Sequence, residues 1–289
     1  SDVYKRQDKY YTLDEYKTLI EANQTDKEGN IIYLYATDKT AQYNYITAAT
    51  DKGYDVLLMD GQLDSHFIGL LEQKLEKSHF VRVDSDVVDN LIRKEDKKAD
   101  DLTAAQRNIL TNVFRSQIPA VDKAEFLVSF ESLSADAAPL VITQNEYMRR
   151  MKDMAAMQPG MSFYSELPDS YNLIVNTEHK LIKQIRDDAD KSIAEKISPI
   201  TSSIDKTNAE ITTIREAAKD GKLSDDDNKK VSELEGEADK LRKEETEMIG
   251  QYAATQPVVK QLIDLALLGN GLLKGHDLSE FIKRSINLL

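Results

Sequence analysis

The sequence has no cysteine, no tryptophan, four histidines and six prolines among its 289 residues. Without cysteine there is no disulfide and no thiolate metal site, and a reducing compartment is the natural home. No apolar run approaches the ~18 residues that span a bilayer, and no charged-then-apolar leader opens the chain. The expected setting is therefore cytoplasmic, with no membrane partner. Basic residues are also scarce: 38 Lys and Arg stand against 51 Asp and Glu, a net charge of −13. An acidic surface repels phosphate backbones. The nearest basic clusters, Lys94–Lys98 and Lys240–Lys243, are interleaved or flanked with acids, so no nucleic-acid partner is expected and the charge serves solubility.

The missing residues also thin out the chemistry. His66, His79, His179 and His276 stand singly, with no i,i+4 pair and no thiol to help, so neither a metal site nor a catalytic constellation emerges. Gly269-x-Gly271 with Gly275 follows a helical stretch, and its third glycine comes one residue late for a dinucleotide loop; a helix C-cap and loop is the better reading. Placing Gly221 at the sixth position of a calcium loop puts Glu216 first, Ala218 third and Asp227 last. Alanine supplies no ligand and aspartate is too short for the bidentate glutamate, so Asp220-Gly221 reads as a hairpin tip.

What is present suits about two domains, since 40% of the residues are hydrophobic and 31% charged. Ser1–Gln7 has no periodicity, resembles translated adaptor sequence, and is set aside as artefact or unstructured; the gene is expected to continue upstream. Residues 8–84 alternate helix and strand. Thr12 and Glu15 form a capping box, IIYLYAT (Ile31–Thr37) is β-rich, a helix over Lys39–Asp51 stops at Gly53, and Val56–Met59 is a continuous apolar run. A helix from Asp64 or Ser65 and a strand over His79–Val83 complete a small α/β unit with βαβ crossovers and a parallel sheet.

Residues 85–101 form a charged linker, and 102–289 form an α+β domain. Ala104–Phe114 is a helix, Phe126–Phe130, Leu140–Thr143 and Tyr171–Val175 are strands, and Glu146–Met157 and His179–Lys196 are helices. Within this domain Ile193, Ile197, Ile200, Ile204, Thr207, Ile211, Ile214 and Ala218 step alternately by four and three. So do Val231, Leu234, Ala238, Leu241, Glu245, Met248 and Tyr252. These are two heptad seams, so 193–252 reads as an inserted antiparallel coiled-coil hairpin projecting about 35–40 Å. The stretch from Asp187 to Glu247, which takes in most of it, holds 18 acidic and 11 basic residues. Pro199, with Ser198 as cap, predicts an interruption of its first helix there.

Met148, Met151, Met154 and Met157 recur at i, i+3 spacing. Such a stripe is usually core. Here the helix is also dense in charge (Glu146, Arg149, Arg150, Lys152, Asp153), and methionine suits a surface that accepts varied apolar partners. Both readings stay open. The most apolar stretch is Pro257–Leu268, and a last helix is predicted from Asp277.

At this point the residues resemble a known family. LVITQNEYMRRMKDMAAM (Leu140–Met157), YNLIVNTEHKLI (Tyr171–Ile182) and FIKRSINLL (Phe281–Leu289) are similar to the C-terminal part of the ninety-kilodalton heat-shock chaperones, in their bacterial HtpG-type form. YTLDEYKTLIEANQ, IIYLYA and DVLLMDGQLDSHFIGLL resemble the last α/β subdomain of that family's middle domain. The likeness covers nearly all of Tyr10–Leu289 except the hairpin, which departs from the commonest bacterial pattern.

The resemblance implies an ATP-driven homodimer, active in the stress response, that binds partly folded client proteins. ATP and magnesium are expected for the full-length protein, whose nucleotide pocket and catalytic arginine loop lie upstream of this chain; no cofactor and no enzyme activity are expected here. It implies client contacts at Phe67, Tyr147, Met148, Met151, Met154 and Met157, although Ala155 stands where bacterial relatives often have an aromatic. It implies dimerisation through Leu262, Ile263, Leu265, Leu268, Leu278, Phe281, Ile282, Ile286 and Leu289, in a four-helix bundle across a two-fold axis. The chain ends without the acidic tail that recruits helical-repeat co-chaperones. Two other classes remain: a coiled-coil scaffold or adaptor acting through 193–252, and a small α/β enzyme, against which the strand ends offer no polar cluster.

Overall fold

The computed structural model describes residues 3–6, 9–61, 64–155, 167–218 and 223–287. It is a mixed helix and sheet protein. Its contacts divide the chain into two units, one from Ser1–Asp100, Pro119–Asn176 and Asp264–Leu289, the other from Asp101–Ile118 and Thr177–Ile263. The division is thus interleaved along the chain, and differs from the linear one read from the sequence.

The first unit opens with strands β1 (Val3–Arg6) and β2 (Lys9–Thr12), then α1 (Leu13–Ile20), β3 (Ile31–Ala36), α2 (Tyr43–Asp51), β4 (Val56–Leu58), α3 (Asp64–Lys74), β5 (Ser78–Arg82) and α4 (Val88–Leu91). Their sheet has the order β2-β1-β4-β3-β5. β4, β3 and β5 run parallel, as the βαβ pattern predicts, but β1 is antiparallel to both β2 and β4. The expected all-parallel sheet is therefore mixed. Val3–Arg6, read from sequence as outside the fold, forms a hairpin with β2 and covers the open edge of β4; an unpaired edge is a liability that such a strand removes.

All six residues of β3 are buried. Alternation sends Tyr33 and Tyr35 to one face, with Tyr16 and Ile20 of α1 and Ile68 and Leu71 of α3. Ile32, Leu34 and Ala36 go to the other, with Ala49 of α2 and Leu91 of α4. Tyr33 stacks on Phe80 with centroids 4.7 Å apart. The Thr12 and Glu15 capping box forms as predicted, and Gly53 ends α2 at φ +82°, a left-handed position that glycine takes without strain. Gln24, fully buried, donates from Nε2 to the Ile32 carbonyl at 2.8 Å and accepts from the Asp55 N–H at 2.5 Å.

The same unit contains β6 (Ala124–Glu131), β7 (Leu140–Gln144), α6 (Glu146–Ala155) and β8 (Asp169–Asn176), a second sheet of order β6-β8-β7. Here β6 and β8 are parallel in register from Ala124 opposite Asp169, and β7 is antiparallel to β8.

The second unit is helical: α5 (Ala104–Gln117), α7 (Lys180–Ser192), α8 (Ala194–Glu216) and α9 (Asp225–Ala254). The interruption predicted at Pro199 falls six residues earlier, at Ile193, which ends α7 and begins α8. Pro199 lies inside α8, in its second turn. α8 and α9 pack antiparallel, with Ile197, Ile204, Thr207 and Ile211 buried on one and Val231, Ala238 and Glu245 on the other. Arg215–Glu235 and Lys230–Glu210 ion pairs cross their outer edge. Glu245, buried in this seam, accepts a hydrogen bond from the Thr201 hydroxyl. α9 also packs on α5, where Gly250 faces Ser116. The hairpin tip read at Asp220-Gly221 lies outside the described residues.

Two more helices complete the chain, α10 (Pro257–Gly269) and α11 (Gly275–Asn287). α11 starts two residues before the predicted Asp277, which becomes part of its first turn. Among the described residues no helix is long and apolar enough to cross a membrane.

Gln24 yields the first prediction. Gln24→Ala removes the acceptor of the Asp55 N–H and a donor to the Ile32 carbonyl, and should lower unfolding free energy by about 2–3 kcal/mol. The measurement is a urea unfolding curve, with an unchanged midpoint counting against this role.

Candidate functional site

α6 follows β7 through Asn145, whose side chain accepts from the Met148 N–H at 3.1 Å and caps the helix. The end of β7 is itself anchored: the Gln144 N–H donates to the Asp84 carbonyl at 3.0 Å, and Arg82 donates to Gln144 Oε1 at 2.8 Å. From this fixed start, α6 turns its charged face inward.

Tyr35, from the buried central strand, donates its hydroxyl to Glu146 Oε1 at 2.9 Å. Arg149 donates to the Tyr35 oxygen at 2.5 Å and to Glu146 Oε1 at 2.9 Å. Arg150 donates from Nε to the same Glu146 oxygen at 2.7 Å, from Nη1 to Glu72 of α3 at 3.0 Å, and from Nη2 to the Phe80 carbonyl of β5 at 2.6 Å. Burial alone would raise the Glu146 carboxyl, but the Arg149 and Arg150 charges outweigh it and hold it below the ordinary carboxylate range. Burial, with Glu146 beside it, pushes the Tyr35 hydroxyl up, so it remains a donor.

With the charges inward, Tyr147 faces out. Tyr147 is 68% exposed, and Met148 and Met151 are half-buried. Phe67, on α3, is also exposed. The side chain of Met154, and Met157 altogether, lie outside the described residues. Methionines 148 and 151 are therefore neither sealed core nor free surface. The sequence showed the charges but not their direction; Arg149 is only 8% exposed.

The α10 and α11 residues divide in the same way. Leu262, Ile263 and Phe281 are buried and Leu278 is half-buried, while Leu265, Leu268, Ile282 and Ile286 are exposed. Val258, absent from the sequence-based set, is exposed too. Leu289 lies outside the described residues. Asp264 of α10, fully buried, pairs with Arg284 of α11. The turn after α10 is tied down by Tyr45 of α2, whose hydroxyl faces both the Ile142 carbonyl of β7 and Asn270 Oδ1. Gly271 and Gly275 in that turn have φ of +66° and +57°, consistent with a helix end and loop. Among the described residues no cluster of His, Asp and Glu could hold a metal ion.

The family model described as Hsp90 protein matches residues 2–201. The chain belongs to the Hsp90 family. It is 49% identical over 284 residues to the chaperone protein HtpG of Bacteroides thetaiotaomicron, which takes in 97% of this chain and 42% of that protein. It is 50% identical over 288 residues to the HtpG of Bacteroides fragilis strain YCH46, with the same shares. The HtpG of Porphyromonas gingivalis strain W83 is 48% identical over 291 residues, 96% of this chain and 41% of that protein. The chain thus spans about two-fifths of the length of the curated relatives it matches. The 193–252 segment falls inside the aligned stretch, so in these Hsp90 relatives it is not a peculiarity of this chain.

The second prediction separates inward from outward groups. Tyr45→Phe should cost about 1–2 kcal/mol, the worth of a buried hydroxyl bridge, whereas Tyr147→Ser should stay within about 0.5 kcal/mol of the parent. Paired urea titrations read both; a large loss from Tyr147→Ser would place that ring in the core.

Proposed function

We propose that this chain is the dimerising and client-handling part of an Hsp90-type molecular chaperone. The observation that supports this best is a pair of outward apolar surfaces on helices whose inward faces are already committed. One is Tyr147 with Met148 and Met151 on α6; the other is Leu265, Leu268, Ile282 and Ile286 on α10 and α11. Large exposed apolar side chains in groups mark interaction surfaces.

The two surfaces suit different partners. α10 and α11 offer short, shape-defined aliphatic side chains, fit to meet a second copy in a four-helix bundle about a two-fold axis. α6 offers a tyrosine and flexible, polarisable methionines, fit to accept apolar segments of many shapes in partly folded clients. Phe67 is the outlying contact on the α/β side. The chain itself is read as non-enzymatic; nucleotide and magnesium belong to the part of the relatives' length that it does not span. The relatives carry the name chaperone protein HtpG. The scaffold alternative has no observation of its own in its favour, because α9 is packed on α5 and not held out alone.

Light scattering at micromolar concentration should give about twice 32.7 kDa. Ile282→Asp with Ile286→Asp should give the single mass with an unchanged circular dichroism spectrum; a monomeric parent would sink the dimer reading. Tyr147→Ser with Met151→Ser should weaken binding to reduced, carboxymethylated α-lactalbumin by at least about fivefold. Fluorescence anisotropy reads this, and equal affinity would remove α6 as the contact.

A further inference from the structure

An amphipathic helix ordinarily seats its apolar stripe and leaves its charges in water. α6 departs from this: Arg149 is buried and Tyr147 exposed, while Met148 and Met151 are half-buried like Glu146 and Arg150. Among its described side chains only Arg149 and Ala155 are buried, so little apolar area holds it down. What holds it are charged contacts that reach from α6, at the end of the three-stranded sheet, to the five-stranded sheet and α3.

These contacts converge on one atom. Glu146 Oε1 accepts from Tyr35, Arg149 and Arg150. The other carboxylate oxygen, Oε2, is buried with no donor among the described residues. Desolvating charges offsets most of what pairing them returns, so a seat built this way lies much nearer balance than the aromatic core beside it. Removing one partner should upset it locally.

We propose that Glu146, Arg149 and Arg150 form a releasable ionic latch, which docks α6 on Tyr35, Glu72 and the Phe80 carbonyl and thereby governs how its apolar face is presented. Docked, the helix holds Tyr147 outward at a set position relative to α3. Released, it keeps its Asn145 cap and the Lys152–Asp169 pair to its own sheet, and its apolar face is free to reorient. The latch concerns the position of α6; its consequence for binding rests on the client reading above.

Hydrogen–deuterium exchange on the whole chain tests it, in the parent, Glu146→Gln and Glu72→Gln. Amides of 148–155 should exchange about tenfold faster in Glu146→Gln, with those of β8 unchanged. Glu72→Gln, which keeps an acceptor for the Phe80 N–H, should give a smaller acceleration of the same amides. Raising potassium chloride from about 0.05 to about 0.5 M should quicken these amides in the parent more than in either variant. Unaltered α6 exchange in Glu146→Gln, or acceleration only together with β7 and β8, would overturn the latch. If Glu146→Gln does not fold, Glu72→Gln and the salt series decide, and no response in either overturns it. The α-lactalbumin measurement keeps the two readings apart. Exchange that responds while Tyr147→Ser with Met151→Ser still binds fully leaves the latch standing without the client site. The converse pair of results removes the latch alone.

Discussion

Strand β3 has no exposed face, and the first unit is arranged around that constraint. A strand covered on both sides needs helices on both sides, and the order β4-β3-β5 supplies them: β3 crosses to β4 through α2 on one face, and β4 crosses back past β3 to β5 through α3 on the other. Alternation then sorts the side chains without regard to polarity. Ile32, Leu34 and Ala36 meet α2 and α4, while the tyrosines meet α1 and α3. A tyrosine buried in such a layer must place its hydroxyl somewhere. Tyr35 places it against Glu146, so the position of α6 is a consequence of how the central strand is packed.

That consequence explains why the apolar face of α6 is left outward. Glu146, Arg149 and Arg150 occupy one side of the helix, and buried polar atoms on β3 and β5 require partners. Once the charges are spent there, Tyr147 has no inward seat. Tyr45 works similarly at the turn after α10: its hydroxyl lies against the Ile142 carbonyl of β7 and Asn270 Oδ1. In both places polar atoms decide orientation while apolar burial supplies stability.

The helical unit follows a different logic. α8 and α9 bury a narrow seam of aliphatic, small and occasional polar residues and expose charge on their remaining faces. Glu245 sits in that seam with Thr201 as its donor. A polar group at such a position constrains register at some cost in stability. The acidic surplus of the segment thus lies on solvated faces, where repulsion is screened.

Much of the architecture was legible because it rests on local signals. Thr12 with Glu15, the left-handed Gly53, the continuous apolar run at β4 and the four-three spacing of α8 and α9 each act within a few residues. The family was legible for the same reason, through runs such as Leu140–Met157. The signal failed where partners are distant in sequence. Val3–Arg6 is too short to show periodicity, and its pairing depends on the open edge of β4. The break at Ile193 could not be separated from the tempting proline six residues later. The i, i+3 methionines established that α6 has an apolar stripe, and the interspersed charges established a polar one. Which stripe faces inward was decided only in the folded molecule, because it depends on Tyr35 and Glu72, more than 70 residues upstream.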